Sequence, residues 1–488
     1  MPQPLSSIPA ATAADKPVFR AGTLSYDRRG LLEVFGWLLW GDVVFTQIDN
    51  IEPTILPIIL KAHGASNTAI GLIIVTFNMV LQALIMPPLG YYSDRLRTRW
   101  GRRIPILFLT IPFVSLFLAL TPYSPEIAHW FERVGLGGAL GLLPVTSVVA
   151  TFALFVFLYR AVQTATNVTF FGLLRDVVPD NRMGLFLSLF RLVGAASTFA
   201  INYWLLGRAE THSRPIFIGI AVLNLVGFLA ICWFVREGTY PAVASPPRSS
   251  GAGRAPLWSH FACATRVFVA ESYRHPVYLW TYFVRICLYS VHLGLSAYVV
   301  FFPREELGMD LGAVGRMRSW PMLAWVFLAY PMGRLIDKRG SVDVLRWSLI
   351  LITIFYALSF CFVVGPVTYL WSTLLAGIAF WTVMVAQLKL TQEIFHPMRY
   401  SQLAGANTII QSVVIGALVM PFVGWTFDAL KDWSFTIAMP LVGEVTCGRY
   451  RLLNLMMALL FGAACFGVVM VRRHRDRLGG RDGYVAPL

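Results

Sequence analysis

The chain has 488 residues, of which 57% are hydrophobic and only 13% are charged, about half the charged share of an ordinary soluble domain. This composition excludes a soluble multidomain enzyme, a disordered chain and a disulfide scaffold. The net charge is +15, but the basic residues stand in short clusters between long apolar runs, so the charge does not indicate nucleic-acid binding. We therefore predict an all-α integral membrane protein that crosses the bilayer many times.

Twelve runs along the chain are long and apolar enough to cross a bilayer, which takes about 20 residues in a helix. They lie at 31–61, 68–92, 104–122, 145–174, 184–206, 214–235, 277–302, 311–334, 343–364, 366–391, 401–428 and 450–471. The first run has marginal hydropathy because five polar residues interrupt it: Asp42, Gln47, Asp49, Asn50 and Glu52.

The longest polar break separates the sixth run from the seventh. Residues 237–275 contain a stretch rich in Pro, Ser and Gly, which is typical of a linker. The expected organisation is an N-terminal tail (1–30), a six-helix bundle (31–236), a linker (237–275), a second six-helix bundle (276–472) and a C-terminal tail (473–488). The first thirty residues contain no apolar segment of the signal-peptide type.

The basic residues are distributed unequally between the two sides of this arrangement. With the N-terminus inside, 27 Lys and Arg residues fall in the inner loops and tails and 8 in the outer loops. Positive charge marks the cytoplasmic side of a membrane protein. We expect both termini to be cytoplasmic and the protein to lie in the cell membrane, inner or plasma.

One short pattern occurs in both halves of the chain. Gly90 precedes Asp94 by four residues after the second run, and Gly333 precedes Asp337 after the eighth, with basic residues following in each case. Internal duplication of this kind is typical of secondary transporters, which bind substrate between their halves.

The stretch from Gly90 to Pro105 resembles the helix 2–3 loop of the glycoside–pentoside–hexuronide:cation symporters, which include the melibiose permease and belong to the major facilitator superfamily. The likeness covers the chain in helix count and loop pattern and is sharpest around helices 1–5. It implies a major facilitator-type fold of two pseudo-symmetric six-helix bundles. It also implies a secondary transporter, not an enzyme, with no cofactor and no metal.

The repeated loop pattern suits a gate. Asp94 can accept charge-assisted hydrogen bonds from Arg102, from Arg103 or from a neighbouring helix, and such a network must break when the conformation changes. Alternatively, the arginines anchor the loop among anionic lipids. The candidate gate residues are Asp94, Arg95, Arg102, Arg103, Asp337, Lys338 and Arg339.

The resemblance points to sugar-binding residues on helices 4 and 5. Arg191 corresponds to an arginine that binds sugar hydroxyls in the family, and the alternative is that it snorkels to the cytoplasmic interface. Asn167 stands where the family has a sugar-binding aspartate, and Gln163 lies one turn earlier on the same face. On helix 11, Asn407 and Gln411 are one turn apart and could complete a hydroxyl-binding wall.

The residues available for ion coupling in this chain differ from those of the family. Its two sodium-binding aspartates on helix 2 align with Gln82 and Met86, so the melibiose-type sodium site is expected to be absent. Asp42 on helix 1 resembles the family's helix 1 aspartate and offers a substitute that suits proton coupling and substrate binding.

Further charged residues on helices 1 and 4 accompany Asp42. Asp49 shares its face and is a second coupling candidate, although Asp49 and Glu52 could instead line a wet outer vestibule, which we favour for Glu52. Arg160 on helix 4 could face the substrate or pair with an acid of helix 1.

Other polar residues of the second half receive weaker assignments. Arg285 and His292 lie seven residues apart on helix 7 and therefore share a face, but the pattern assigns neither a role. Lys389, Gln392 and Glu393 at the end of helix 10 are expected to form a gate or interface cluster.

These observations predict a monomeric transporter that moves a sugar or glycoside, a di- or oligosaccharide, across the bilayer by alternating access. We expect proton coupling rather than sodium coupling, and facilitated diffusion stays open. Two other functions remain: transport of an amphipathic lysolipid or drug-like substrate, and a transport-dead sensor.

Overall fold

The computed structural model describes residues 19–134, 146–239, 271–396, 399–439, 443–481 and 483–487. Most of the expected linker, residues 240–270, lies outside the described residues. Six helices form the first half: α1 (Arg28–Ala62), α2 (Asn67–Gly90), α3 (Ile104–Arg133), α4 (Ser147–Val177), α5 (Met183–Arg208) and α6 (Ser213–Phe234).

The second half repeats this series. Its helices are α7 (Pro276–Tyr289, continued by a π-helical and a 3₁₀ turn to Ala297), α8 (Leu311–Arg339), α9 (Ser341–Phe362), α10 (Pro366–Ile394), α11 (Gln402–Ala429) and α12 (Arg449–Arg477). The predicted arrangement of twelve helices in two bundles is confirmed. In the described residues, ten helices are long and apolar enough to cross a membrane by length and composition alone. The two below that threshold are α7, which is interrupted, and α8, which carries several arginines.

Side-chain caps set the start of several helices. Asp27 Oδ1 accepts a hydrogen bond from Gly30 N at 2.8 Å and begins α1, while Ser66 Oγ accepts one from Ala69 N at 3.1 Å and begins α2. Asp310 caps α8 in the same way, with its carboxylate 2.8 Å from Gly312 N. Such caps satisfy amide groups that the first helical turn leaves without a carbonyl partner.

Two short hairpins correct the all-α expectation. β1 (Phe19–Ala21) pairs antiparallel with β2 (Leu24–Tyr26) just before α1, and β3 (Phe435–Met439) pairs with β4 (Gly443–Cys447) between α11 and α12. Both lie in connections rather than in the helical runs, so they leave the bundle arrangement unchanged.

Four helices contain a π-helical turn, in which each carbonyl accepts from five residues ahead. The turns are Leu72–Thr76 in α2, Ile201–Leu205 in α5, Ser290–Gly294 in α7 and Val414–Val419 in α11. Two of them contact each other across the halves, since Thr76 Oγ1 donates to Gly416 O at 2.6 Å.

The hydrogen bonds that we find between the two halves lie at one end of the helices, which we call the closed end. They join residues 61–76 and 199–210 of the first half to residues 298–319 and 416–450 of the second. The other end carries the 2–3 loop and the C-terminal tail, and the hydrogen bonds named above do not extend to it. We call it the open end.

Candidate functional site

A buried ion-pair cluster joins α1 to α4. Arg160 is 5% exposed, and its guanidinium binds the carboxylate of Glu52, which is 1% exposed, and donates to Asp49 Oδ1 at 3.3 Å. Tyr159 OH donates to the same Glu52 carboxylate at 3.1 Å. Charges are tolerated inside a helical bundle when they are paired in this way.

This cluster bears on two expectations from the sequence. Arg160 pairs with acids of helix 1, so its side chain is engaged there in this conformation. The expectation that Glu52 lines a wet vestibule is wrong, because Glu52 is enclosed between α1 and α4. Asp49 is the more accessible acid, with about a third of its side chain exposed.

Asp42 lies seven residues, or about two helical turns, before Asp49, where α1 packs on α5. It is 2% exposed, and its Oδ1 accepts a long hydrogen bond from Thr46 Oγ1 at 3.4 Å. Its Oδ2 has no hydrogen-bond partner among the described residues. Gly194 makes this packing possible, since a Cβ there would stand 3.3 Å from Asp42 Oδ2.

Arg191 lies two turns into α5. Its side chain is exposed and makes no hydrogen bond or ion pair with another described residue. Asp42 of α1 and His292 of α7 lie near enough to feel its charge, without direct contact. A guanidinium offers five donors in a planar fork, which can hold two neighbouring hydroxyl oxygens.

A polar seam joins α1 to α5 about two helical turns beyond Arg191. Gln47 Nε2 donates to Ser197 Oγ at 3.0 Å, and Asn50 Nδ2 donates to Thr198 Oγ1 at 3.2 Å. The sequence showed Gln47 and Asn50 only as interruptions of an apolar run. Their spacing on one face of α1 is the signal that could have indicated a polar interior, but their partners on α5 could not be found from it.

The amide residues predicted to bind hydroxyls occur in two hydrogen-bonded pairs. Gln163 Nε2 donates to Asn167 Oδ1 at 3.1 Å on α4, and Asn407 Nδ2 donates to Gln411 Oε1 at 3.2 Å on α11. Gln163 and Asn407 are each 1% exposed, while Asn167 is half-buried. Gln163 Oε1 and Asn407 Oδ1 have no hydrogen-bond partner among the described residues, so each pair keeps a free acceptor.

Two of the predicted gate residues of the first half, Arg102 and Arg103, bind an acid that the sequence did not indicate. Arg102 makes two bonds to the Asp176 carboxylate of α4, at 2.9 Å and 2.5 Å, and Arg103 Nε lies 3.3 Å from Asp176 Oδ2. Glu237 accepts hydrogen bonds from the backbone amides of residues 102, 103 and 104 at 2.6–2.8 Å and so caps α3. The side chains of Asp94 and Arg95 lie outside the described residues.

The second half carries a similar cluster at the same end. Asp337 at the end of α8 binds Lys389 of α10 at 2.6 Å, and Lys389 also lies 3.9 Å from Glu393. Glu393 in turn accepts a hydrogen bond from Ser341 at the start of α9. Lys338 and Arg339 point elsewhere and line a separate cavity between α8, α9 and α12.

An acid that the sequence did not indicate fastens the closed end. Asp428 near the end of α11 accepts hydrogen bonds from the backbone amides of Asn67 and Thr68, both at 2.8 Å, and from both of their side chains at 2.8 Å and 2.7 Å. It caps α2 from the opposite half, where the helix dipole favours a carboxylate. Nearby, Lys61 donates to Tyr450 OH at 2.7 Å.

The packing of the closed end also requires glycine. A Cβ at Gly424 would stand 2.6 Å from Thr68 Cα, so α11 and α2 approach each other here with backbone against backbone.

In the described part of the chain, no group of three or more His, Cys, Asp or Glu side chains could hold a metal ion.

The chain forms two six-helix bundles that are joined by hydrogen bonds at one end, and paired charges are buried within the first bundle. This architecture is that of a multi-pass membrane protein of the alternating-access transporter type. The model of the Major Facilitator Superfamily matches residues 43–421, so the chain belongs to that superfamily. Membership of the glycoside–pentoside–hexuronide family within it stays a hypothesis.

Solved structures with the same fold carry several kinds of substrate. The chain is similar to a bacterial homologue of the iron transporter ferroportin in an inward-facing state (14% identity, TM-score 0.61, covering 91% of this chain and 99% of that one). It is also similar to a D-xylose–proton symporter (14%, 0.60, 90% and 97%) and to the nucleoside transporter NupG (11%, 0.56, 91% and 98%). At these identities the likeness shows the fold.

Proposed function

We propose that the protein is a secondary active transporter of a sugar or glycoside, coupled to protons, that works by alternating access. The observation that carries the proposal is Arg191, an arginine of a membrane helix whose side chain is exposed and has no hydrogen-bond or ion-pair partner among the described residues. Asp42 of the first half and His292 of the second lie near enough to feel its charge. A substrate bound there would contact both halves, which a transporter of this type requires.

The chemistry around Arg191 favours a neutral, hydroxyl-rich substrate. The acceptor oxygens of Gln163 and Asn407 are buried and have no donor among the described residues, and we infer that they become available to substrate when the halves move. A sugar hydroxyl can then donate to one group while it accepts from another. Asn167 and Gln411 would join this set when their pairs open. The D-xylose–proton symporter shares the fold, which is in keeping with a sugar as substrate.

Asp42 is the group that we assign to proton coupling. A carboxylate buried without a donor on one oxygen is costly to keep charged, so its burial favours the protonated acid. Movement of α5 away from α1 would expose it and release the proton. Asp49, which remains partly exposed beside Arg160, would pass protons towards the closed end.

The orientation is part of the proposal. With the basic loops in the cytoplasm, the open end faces inward and both termini are cytoplasmic. In intact cells, a membrane-impermeant thiol reagent should label Lys431→Cys at the closed end and leave Arg473→Cys unlabelled. The reverse pattern would overturn the orientation.

Entrance counterflow in proteoliposomes tests the substrate assignment, because it needs no ion gradient. Vesicles preloaded with each of a panel of mono- and disaccharides would be compared for wild type, Arg191→Ala and Arg208→Ala, an exposed arginine at the other end of the same helix. We expect transient accumulation of one sugar, lost in Arg191→Ala and kept in Arg208→Ala. If no sugar exchanges in folded protein, the sugar assignment is wrong, and exchange of lysolipids would then identify an amphipathic substrate.

A further inference from the structure

A basic cavity of about 640 Å³ lies at the open end of the second half, away from Arg191. It is bounded by the end of α8, the start of α9, the end of α12 and the C-terminal tail. Five basic side chains and one acid line it: Lys338, Arg339, Arg346, Arg472, Arg481 and Asp343.

The charges in this cavity do not cancel. Arg472 pairs with Asp343 at 2.8 Å, and Arg481 donates to the backbone carbonyls of Arg339 and Lys338 at 3.3 Å and 3.2 Å. The side chains of Lys338, Arg339 and Arg346 have no carboxylate partner among the described residues. A net positive charge therefore remains in this partly open cavity, and it attracts anions there.

Arg346 is the arginine of the cavity wall that has no acceptor of its own. Its guanidinium lies over the Trp347 ring at 5.2 Å, and its buried Nε has no hydrogen-bond partner among the described residues. The planar fork of a guanidinium suits a phosphate, which could bind the part of the side chain that lines the cavity.

An apolar track leads from the cavity along the membrane-facing side of α9. Trp347, also in the cavity wall, is 61% exposed, and four more exposed apolar side chains follow at helical spacing: Leu351, Ile354, Leu358 and Phe362. A molecule with a phosphate in the cavity could therefore lay a hydrocarbon chain along α9. This combination favours a lipid over a free anion from the cytosol.

We propose that this cavity binds the phosphate of an anionic phospholipid, whose acyl chain lies along the exposed apolar side of α9. The site is independent of the sugar assignment, since none of its residues is among those assigned to substrate binding or proton coupling, although Lys338 and Arg339 are also candidate gate residues. It would fasten α8, α9 and α12 to one another at the open end.

Native mass spectrometry of the full chain, released from micelles that contain phosphatidylglycerol or phosphatidylcholine, tests the proposal. The cavity variant is Arg339→Gln/Arg346→Gln. The matched control is Arg473→Gln/Arg477→Gln, which removes the same charge from exposed positions on α12. We expect phosphatidylglycerol adducts on wild type and control, and at least fivefold weaker retention on the cavity variant.

Two further arms identify the source of the phosphate. Inorganic phosphate at millimolar concentration should leave the phosphatidylglycerol adduct in place, and phosphatidylcholine should give no retained adduct. Equal loss of phosphatidylglycerol in the cavity and control variants would overturn the site in favour of general charge attraction. Displacement of the lipid by inorganic phosphate would overturn the lipid assignment and identify a free-anion site.

Discussion

Asp428 and Thr68 belong to opposite halves of the protein, and a single carboxylate oxygen of Asp428 accepts both the backbone amide and the hydroxyl of Thr68, at 2.8 Å and 2.7 Å. The other oxygen makes the same two kinds of bond with Asn67. One side chain thus caps a helix and joins two bundles. Any conformation that opens this end must break all four bonds together.

The first prediction concerns this joint. Asp428→Asn replaces one carboxylate oxygen by an NH2 group, which cannot accept the hydrogen bonds that Asn67 or Thr68 now donates to that oxygen. Hydrogen bonds to charged groups contribute about 1.5–3 kcal/mol each. We expect the balance between conformations to move by about tenfold or more towards opening of this end. Spin labels on the exposed residues His63 and Lys431 should report longer distances. Asp432→Asn, an exposed neighbour with the same charge change, serves as control and should leave the distances unchanged.

The second prediction tests the backbone contact beside that joint. Gly424→Val places a side chain against the Thr68 backbone, which cannot yield as a flexible side chain would. We expect the same spin-label pair to report opening. Gly405→Val on α11 is the control, because nothing lies within 4 Å of a Cβ there. Unchanged distances in Gly424→Val would mean that the two helices can separate here without opening the end.

The third prediction concerns the buried cluster of α1 and α4. Arg160→Met leaves the buried Glu52 carboxylate without its partner and should destabilise the fold by about 3–5 kcal/mol. Glu52→Gln leaves Arg160 paired with Asp49 alone, at 3.3 Å, and should cost less. The double variant should lose less than the sum of the two, as measured by thermal unfolding in detergent. Glu126→Gln breaks the half-exposed pair with Arg214 and should cost about 1 kcal/mol at most. Additive losses in the cluster would show that the two charges do not depend on each other.

The fourth prediction separates binding from coupling at Asp42. Asp42→Asn keeps the size of the side chain but cannot bind or release a proton. We expect counterflow to persist, while accumulation driven by an inward proton gradient falls at least tenfold. Glu33→Gln, an exposed acid on the same helix, should accumulate substrate as wild type does. Normal gradient-driven accumulation in Asp42→Asn would place proton coupling at another residue.

The sequence predicted the helices better than the contacts between them. The twelve runs could be found because a bilayer imposes a length and a hydropathy on each span, and the two-bundle arrangement followed from the repeated loop pattern. The short hairpins were missed because strands of three to five residues between helices leave little periodic signal.

Pairings across the bundle were predicted in part. Arg160 and the acids of helix 1 were recognised as possible partners because a buried charge needs an opposite one. Asp428 was not recognised, since its partners lie about 360 residues earlier and a single acid at a helix end has no distinctive spacing. Glu52 was misplaced because position along a helix gives depth in the membrane but not which neighbouring helix covers the side chain.

The π-helical turns have a mechanical consequence. A π turn holds one residue more than the regular α-helical ladder. In α11 the Met420 amide donates to Ile415 O, so Gly416 O would meet Pro421, which has no N–H, and it accepts from Thr76 of α2 instead. Because the π turns of α2 and α11 meet at this bond, we expect a tilt of the two halves against each other to be accommodated there.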